Sequence, residues 1–180
     1  NYRIFHEKDI DSYKSIILRN SGYDWRNTLF RDGMCQTLVA GQIDVDYQAY
    51  QPAVVFINGK YWGILNVREK LNEHYITSNH GVAPDNLDLI DIAGYIRVVK
   101  GDMVSYNNLL EYVEYQDMSL PENYEYICSQ MDINEYYNYQ VSEIFFANYD
   151  WPGNNVKLWR PGINGGKWRW IINDLDYGFN

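Results

Sequence analysis

The residues of this 180-residue chain whose types and spacing could do chemistry lie near its C-terminal end. The stretch Asn148-Tyr149-Asp150-Trp151-Pro152-Gly153-Asn154-Asn155 sets Asn155 five residues after Asp150. Nineteen residues further on begins Asp174-Leu175-Asp176-Tyr177-Gly178-Phe179. Phosphoryl transfer asks a protein for a carboxylate that takes or orients a hydroxyl proton, and for hard ligands that let a metal neutralise phosphate charge. Asp150 suits the first role. Asn155, with one or both of Asp174 and Asp176, suits the second. Oxygen-only ligands of this kind favour Mg²⁺ or Mn²⁺ over zinc. The competing reading is a pair of loops in which Asp and Asn merely cap turns.

Those loops need elements to hold them. The apolar spacing predicts a helix from Ile133 to Ala147, with Ile133, Tyr136, Tyr137, Val141, Ile144 and Phe145 on one face. Asp132 and Glu135 are placed to form a capping box at its start. Trp151-Pro152-Gly153 keeps the helix from resuming. A strand over 156–160, a turn over 161–166 and a returning strand over 167–172 would bring Asp174 and Asp176 back beside Asn155. An Asp, an Asn five residues later, a hairpin, and a further Asp before Gly-Phe is the order of parts in protein-kinase active sites. Here Asn-Tyr stands where His-Arg would precede the catalytic Asp, and Asp-Leu-Asp-Tyr-Gly-Phe stands for Asp-Phe-Gly.

Upstream, Ser15–Asn20 reads as a short strand ending in the turn Asn20-Ser21-Gly22. A helix capped by Asn27 or Thr28 would carry Leu29, Phe30, Met34, Leu38 and Val39 and stop at Gly41. Ala53–Ile57 and Lys60–Val67 flank Asn58-Gly59, the preferred two-residue hairpin turn. A short helix around Glu69–Ser78 and a strand over Asp88–Ile92 follow. Further helices are expected near 104–115 and 121–130. Strands come first, then helices, then a loop–hairpin–loop, which is α+β with segregated halves.

Composition narrows the class. With 24 acidic against 15 basic residues, the chain is a poor candidate for a nucleic-acid groove. Phosphate chemistry stays open, because a divalent metal can bridge carboxylates and a nucleotide. Eighteen Tyr and six Trp suit half-buried faces and ligand surfaces. Cys35 and Cys128 form neither a metal signature nor a disulfide framework; both are expected to be buried small hydrophobes. His6, His74 and His80 have no metal spacing, and no Ser or Cys sits in a nucleophile elbow. No apolar run reaches the length of a membrane span. The chain starts at Asn1 and stops just after the Gly-Phe, which reads as a single 1–180 domain excised from a longer one.

The chain resembles the spore-coat CotH kinase family of atypical, kinase-like proteins. The matching stretches are Leu18-Arg19-Asn20-Ser21-Gly22 with Phe30-Arg31-Asp32, and Val55–Gly63 running on to Arg68-Glu69. They continue with Asn148–Asn155 and Leu158-Trp159-Arg160, then Trp168-Arg169-Trp170 through Phe179. The resemblance implies an atypical protein-kinase-like fold, with a β part followed by a helical part bearing a catalytic loop and hairpin. It implies transfer of the ATP γ-phosphate, with Mg²⁺ or Mn²⁺, to Ser or Thr of secreted, surface or coat proteins. It makes Asp150 the catalytic Asp, and Asn155 and Asp174 metal ligands with Asp176 as rival or partner. It also sets Glu69 near the nucleotide. Arg68, Lys70 and Lys14 are candidates for the phosphate-facing cation, since the family's upstream basic segment has no counterpart in this sequence.

Two other functions fit the same residues. One is a non-catalytic relative that uses an aromatic, acidic surface in coat or surface assembly. The other is an aromatic-rich carbohydrate-binding domain with Ca²⁺ at the Asp loops. Convergence of Asp150, Asn155 and Asp174 or Asp176 on one cleft separates them from the kinase reading.

Overall fold

The computed structural model describes residues 2–162 and 166–179. Its first sheet is antiparallel in the order β1-β3-β2, built from Ile16–Arg19 (β1), Tyr50–Ile57 (β2) and Lys60–Glu69 (β3). Asn58 and Gly59 both adopt positive φ (52° and 75°), as the hairpin turn between β2 and β3 requires. The tip of this hairpin stands in solvent, and β3 becomes buried only towards Arg68 and Glu69. A short 3₁₀ segment, Gly22–Arg26, follows β1, and helix α1 spans Arg31–Val39.

The second sheet, also antiparallel, has the order β5-β4-β6-β7. Its strands are Leu87–Ile92 (β4), Ile96–Lys100 (β5), Val156–Pro161 (β6) and Arg169–Ile171 (β7). Helices α2 (Glu73–His80), α3 (Val104–Tyr115), α4 (Pro121–Gln130) and α5 (Ile133–Phe145) complete an α+β architecture. The main core joins Cys35 and Val39 of α1, Tyr139 of α5, and Leu158, Trp168, Trp170, Ile172 and Leu175 around β6 and β7. A smaller cluster packs Tyr75 and Ile76 of α2 on Leu87, Leu89, Trp159 and Ile171.

Several local expectations shift for identifiable reasons. The helix expected from Glu69 begins at Glu73, because Arg68 and Glu69 are paired into the sheet opposite Tyr50 and Ile16. Asn72 is the true cap, accepting from the backbone N–H groups of His74 and Tyr75. Thr28 does not cap α1; Asp24 holds its N–H and hydroxyl instead, and the helix starts at Arg31. Strand β5 carries no strand signal of its own, because its mostly exposed residues alternate poorly. Cys128 is half-buried rather than buried. Part of the expected 161–166 turn, residues 163–165, lies outside the described residues.

The largest correction concerns α5. The inward residues are Glu135, Tyr139, Ser142 and Glu143. Tyr137, Val141, Ile144 and Phe145, expected on the buried face, are exposed, while Ile133 and Tyr136 do pack on the core. Apolar residues occupy more than one side of this helix, so periodicity alone could not choose the side that faces in. The capping box is half made: Asp132 accepts from the Glu135 N–H, but the Glu135 carboxylate accepts from the Trp170 N–H at 3.0 Å instead.

Candidate functional site

Helix α5 ends at Phe145, and Ala147 at φ 51° turns the chain away into the Asp150 loop. Within that loop Asp150 Oδ2 accepts from Asn155 Nδ2 at 2.8 Å and from Asn154 Nδ2 at 3.1 Å. The spacing of five residues is thus a direct contact. It needs an unusual backbone: Asn155 sits at φ 59°, a region Asn tolerates better than most residues. The second carboxylate oxygen, Oδ1, is buried without a partner.

Asp174, at φ 57°, and Asp176 lie on the loop after β7. Both meet Arg19 of β1: its Nη2 donates to Asp174 Oδ1 and stands 3.4 Å from Asp176 Oδ2. Arg19 Nη1 also reaches Asp32 Oδ2 at 2.9 Å. Asp32 is shared further, with Arg68 Nη1 at 2.6 Å and the Leu175 N–H at 3.1 Å. Burial pushes the Asp32 pKa up, but Arg68 and Arg19 outweigh it and hold the carboxyl below its ordinary range. Asp176 goes the other way: burial, then the neighbouring Asp174 charge, raise it to about 6.

A cleft of about 970 Å³ opens beside these carboxylates, within the size range of small-molecule sites. It is lined by Asn20, Gly22, Tyr23, Trp25, Trp62 and Leu65, among others. Trp25 and Trp62 are 49% and 65% exposed, so their rings are available to a ligand. The cleft wall touches the acidic turn directly. The Tyr23 N–H donates to Asp176 Oδ2 at 2.8 Å, and the Tyr23 ring stacks on Tyr177 at 4.0 Å. Gly22 has φ +57°, and a Cβ there would fall 1.8 Å from Asp176 Oδ2. Only glycine meets both demands. The Tyr149 ring stacks on the Tyr177 ring at 6.4 Å, so the segment leading into Asp150 lies against the loop after β7.

The other sequence-derived residues stand apart from that cleft. The Arg68 guanidinium is buried, held by Asp32 and by the Ala49 and Gln48 carbonyls. Glu69, on the opposite face of β3, accepts from Lys8 Nζ at 2.6 Å, from Asn79 and from the Ala49 N–H. Burial lowers the Lys8 pKa against the raising influence of Glu69. Lys70 is exposed. Arg19, Asp32, Gly22, Tyr23, Trp25 and Trp62 had no assigned role from the sequence. Arg19 and Asp32 lie within the motif stretches, but their partners are up to 157 residues away.

In donor chemistry the site fits a hard divalent cation. Its groups are carboxylate and amide oxygens, and Asp150 Oδ1 is a buried acceptor still without a donor. Among the described residues no three His, Cys, Asp or Glu side chains form a metal-holding group by themselves.

A family model described as CotH kinase protein matches residues 1–180, the whole chain, and the chain belongs to that family. No curated protein matches it. No helix among the described residues is long and apolar enough to cross a membrane.

Proposed function

We propose that this member of the CotH kinase family transfers the γ-phosphate of ATP to Ser or Thr hydroxyls of secreted, surface or coat proteins. The observation that carries the reading is the junction of an aromatic cleft with the acidic turns, made by Gly22 and Tyr23 against Asp176 and Tyr177. In this reading the base of ATP packs among Trp25, Trp62 and Tyr23, and its phosphates extend towards Asp174 and Asp176. The sheet holding β1–β3 and the helical part with β4–β7 then act as the two parts of an atypical kinase.

Asn155 and Asp174 would hold the metal, with Asp176 as the partner. The Asn155 amide nitrogen is engaged with Asp150, so its oxygen is the atom suited to ligation. When bound, Mg²⁺ or Mn²⁺ neutralises charge on the transferring phosphoryl group. The chain's own residues do the rest. Asp150, held at Oδ2 by Asn154 and Asn155, is the carboxylate that would accept the proton of the attacking hydroxyl. Arg19 is the cation at hand for the phosphates, and Asp32 with Arg68 fixes Arg19 from behind. Glu69 and Lys70 keep a supporting place at the end of β3, outside the reacting groups.

The test is transfer of label from γ-labelled ATP to protein, with and without Mg²⁺ or Mn²⁺, by the full-length protein and its Asp150→Ala variant. The reading expects metal-dependent transfer that the substitution abolishes. Metal-independent transfer, or equal transfer by the variant, contradicts it.

A further inference from the structure

Glu143 lies on the inward face of α5, only 1% exposed. Asn148 Nδ2 donates to its Oε2 at 2.8 Å, and the Asn148 backbone N–H donates to the Glu143 carbonyl at 3.2 Å. The same Asn148 carbonyl accepts from the Trp151 N–H. Asn148 thus ties the last turn of α5 to the loop that presents Asp150. Two side-chain oxygens of this pair, Glu143 Oε1 and Asn148 Oδ1, are buried without partners. Both are acceptors, and buried acceptors are expected to find donors.

One proton answers both. On Oε1 it turns Glu143 into a neutral acid that accepts from Asn148 Nδ2 at Oε2 and donates to Asn148 Oδ1 through Oε1. The single hydrogen bond becomes a two-bond acid–amide pair. We infer that Glu143 is a positioning residue of the phosphoryl-transfer site: protonated, it clamps Asn148 and so fixes the turn that carries Asp150. The inference rests on Asp150 having the role proposed above.

The surroundings agree with a neutral Glu143. Burial raises its pKa to about 7; the Asn148 hydrogen bond opposes this, and the Asp150 and Asp32 charges add to the rise. The other titratable groups facing it are the Tyr139 phenol of α5 and the Cys35 thiol of α1, both themselves raised by burial and so neutral. A protonated Glu143 also spares Asp150 a like charge.

The experiment compares the full-length protein with Glu143→Gln, Glu143→Ala, Asn148→Ala and Asp150→Ala. It reads metal-dependent transfer from pH 5.5 to 8.5 and amide hydrogen exchange over 148–155. Gln can make the same two bonds with Asn148. It should keep transfer within about threefold of the unaltered chain and lose the decline that the unaltered chain shows as pH rises through about 7. Glu143→Ala and Asn148→Ala should each lower kcat by roughly a hundredfold with KM for ATP unchanged, as expected when a reacting group is misplaced. Both should speed exchange over 148–155, and Gln should not. Gln behaving like Ala, or a pH profile the Gln variant leaves unaltered, overturns the inference while Asp150→Ala still reports on the parent reading. Full transfer by Asp150→Ala overturns the parent reading, and the exchange data then decide whether Glu143 holds the turn.

Discussion

The two acidic turns of the site are held in opposite ways. The Asp150 turn is held from within: Asn154 and Asn155, four and five residues away, both donate to Oδ2 of its carboxylate. The turn with Asp174 and Asp176 depends on the other half of the chain, through Arg19 of β1 and the Tyr23 N–H. A carboxylate held by its own loop keeps its geometry when the cleft changes. One held by a distant cation responds when that cation moves or a metal arrives. The first arrangement suits a group that must point in one direction. The second suits ligands that exchange partners.

The sharpest break in this comparison is Asp150→Ala. Transfer should fall by several orders of magnitude, as for groups that act only in the transition state. The fold should persist, because its partners Asn154 and Asn155 are turn residues. Far-UV dichroism beside labelled-ATP kinetics checks both halves of that expectation.

Arg19→Ala should damage the other turn and the fold together. It leaves Asp32 short of one partner and Asp174 and Asp176 without their shared cation. A loss of about 3 kcal/mol is expected for removing one member of a largely buried ion network, read by urea unfolding. The Asp150–Asn155 contact should survive it.

Gly22→Ala tests the junction between cleft and turn. The side chain meets Asp176 and a φ of +57°, so roughly 1–3 kcal/mol of stability should be lost. The apparent Mg²⁺ requirement should rise with it, because Asp176 has to shift. An unchanged Mg²⁺ requirement would separate the cleft from the acidic turn.

The smallest effect lies outside both turns and serves as a control. Burial raises the Glu135 pKa to about 9, against the lowering Trp170 N–H. The folded state therefore keeps a proton that the unfolded chain releases near its ordinary value of 4.5. Stability from this group is full at low pH, falls as pH rises towards about 9, and is flat beyond. Glu135→Gln should remove that slope from the melting temperature and leave metal dependence unaltered.

What the sequence made legible follows the same division between local and distant partners. The Asn58-Gly59 hairpin could be read because its turn chemistry is contained in two residues. Asp150 and Asn155 could be paired because a contact five residues long belongs to a single loop. Arg19 could not, since its partners Asp174 and Asp176 lie 155 and 157 residues away and meet it only when β1 reaches the loop after β7. Glu143 looked like one more polar position on a helix with apolar residues on several sides. Its burial depends on which side of α5 faces β7, which periodicity left undecided. The place of β5 rests on pairing with β4, and nothing within its own five residues announces it.

The central claim is that the two acidic turns make one metal-dependent nucleotide site beside the Trp25–Trp62 cleft. Its most direct test is a crystal structure with Mn²⁺ and a non-hydrolysable ATP analogue, the metal located by anomalous scattering. The account expects Mn²⁺ on Asn155 and Asp174, the base against Trp25 or Trp62, and the γ-phosphate facing Asp150. Mn²⁺ bound away from both turns, or the analogue seated on Lys8 and Glu69 instead, would contradict it.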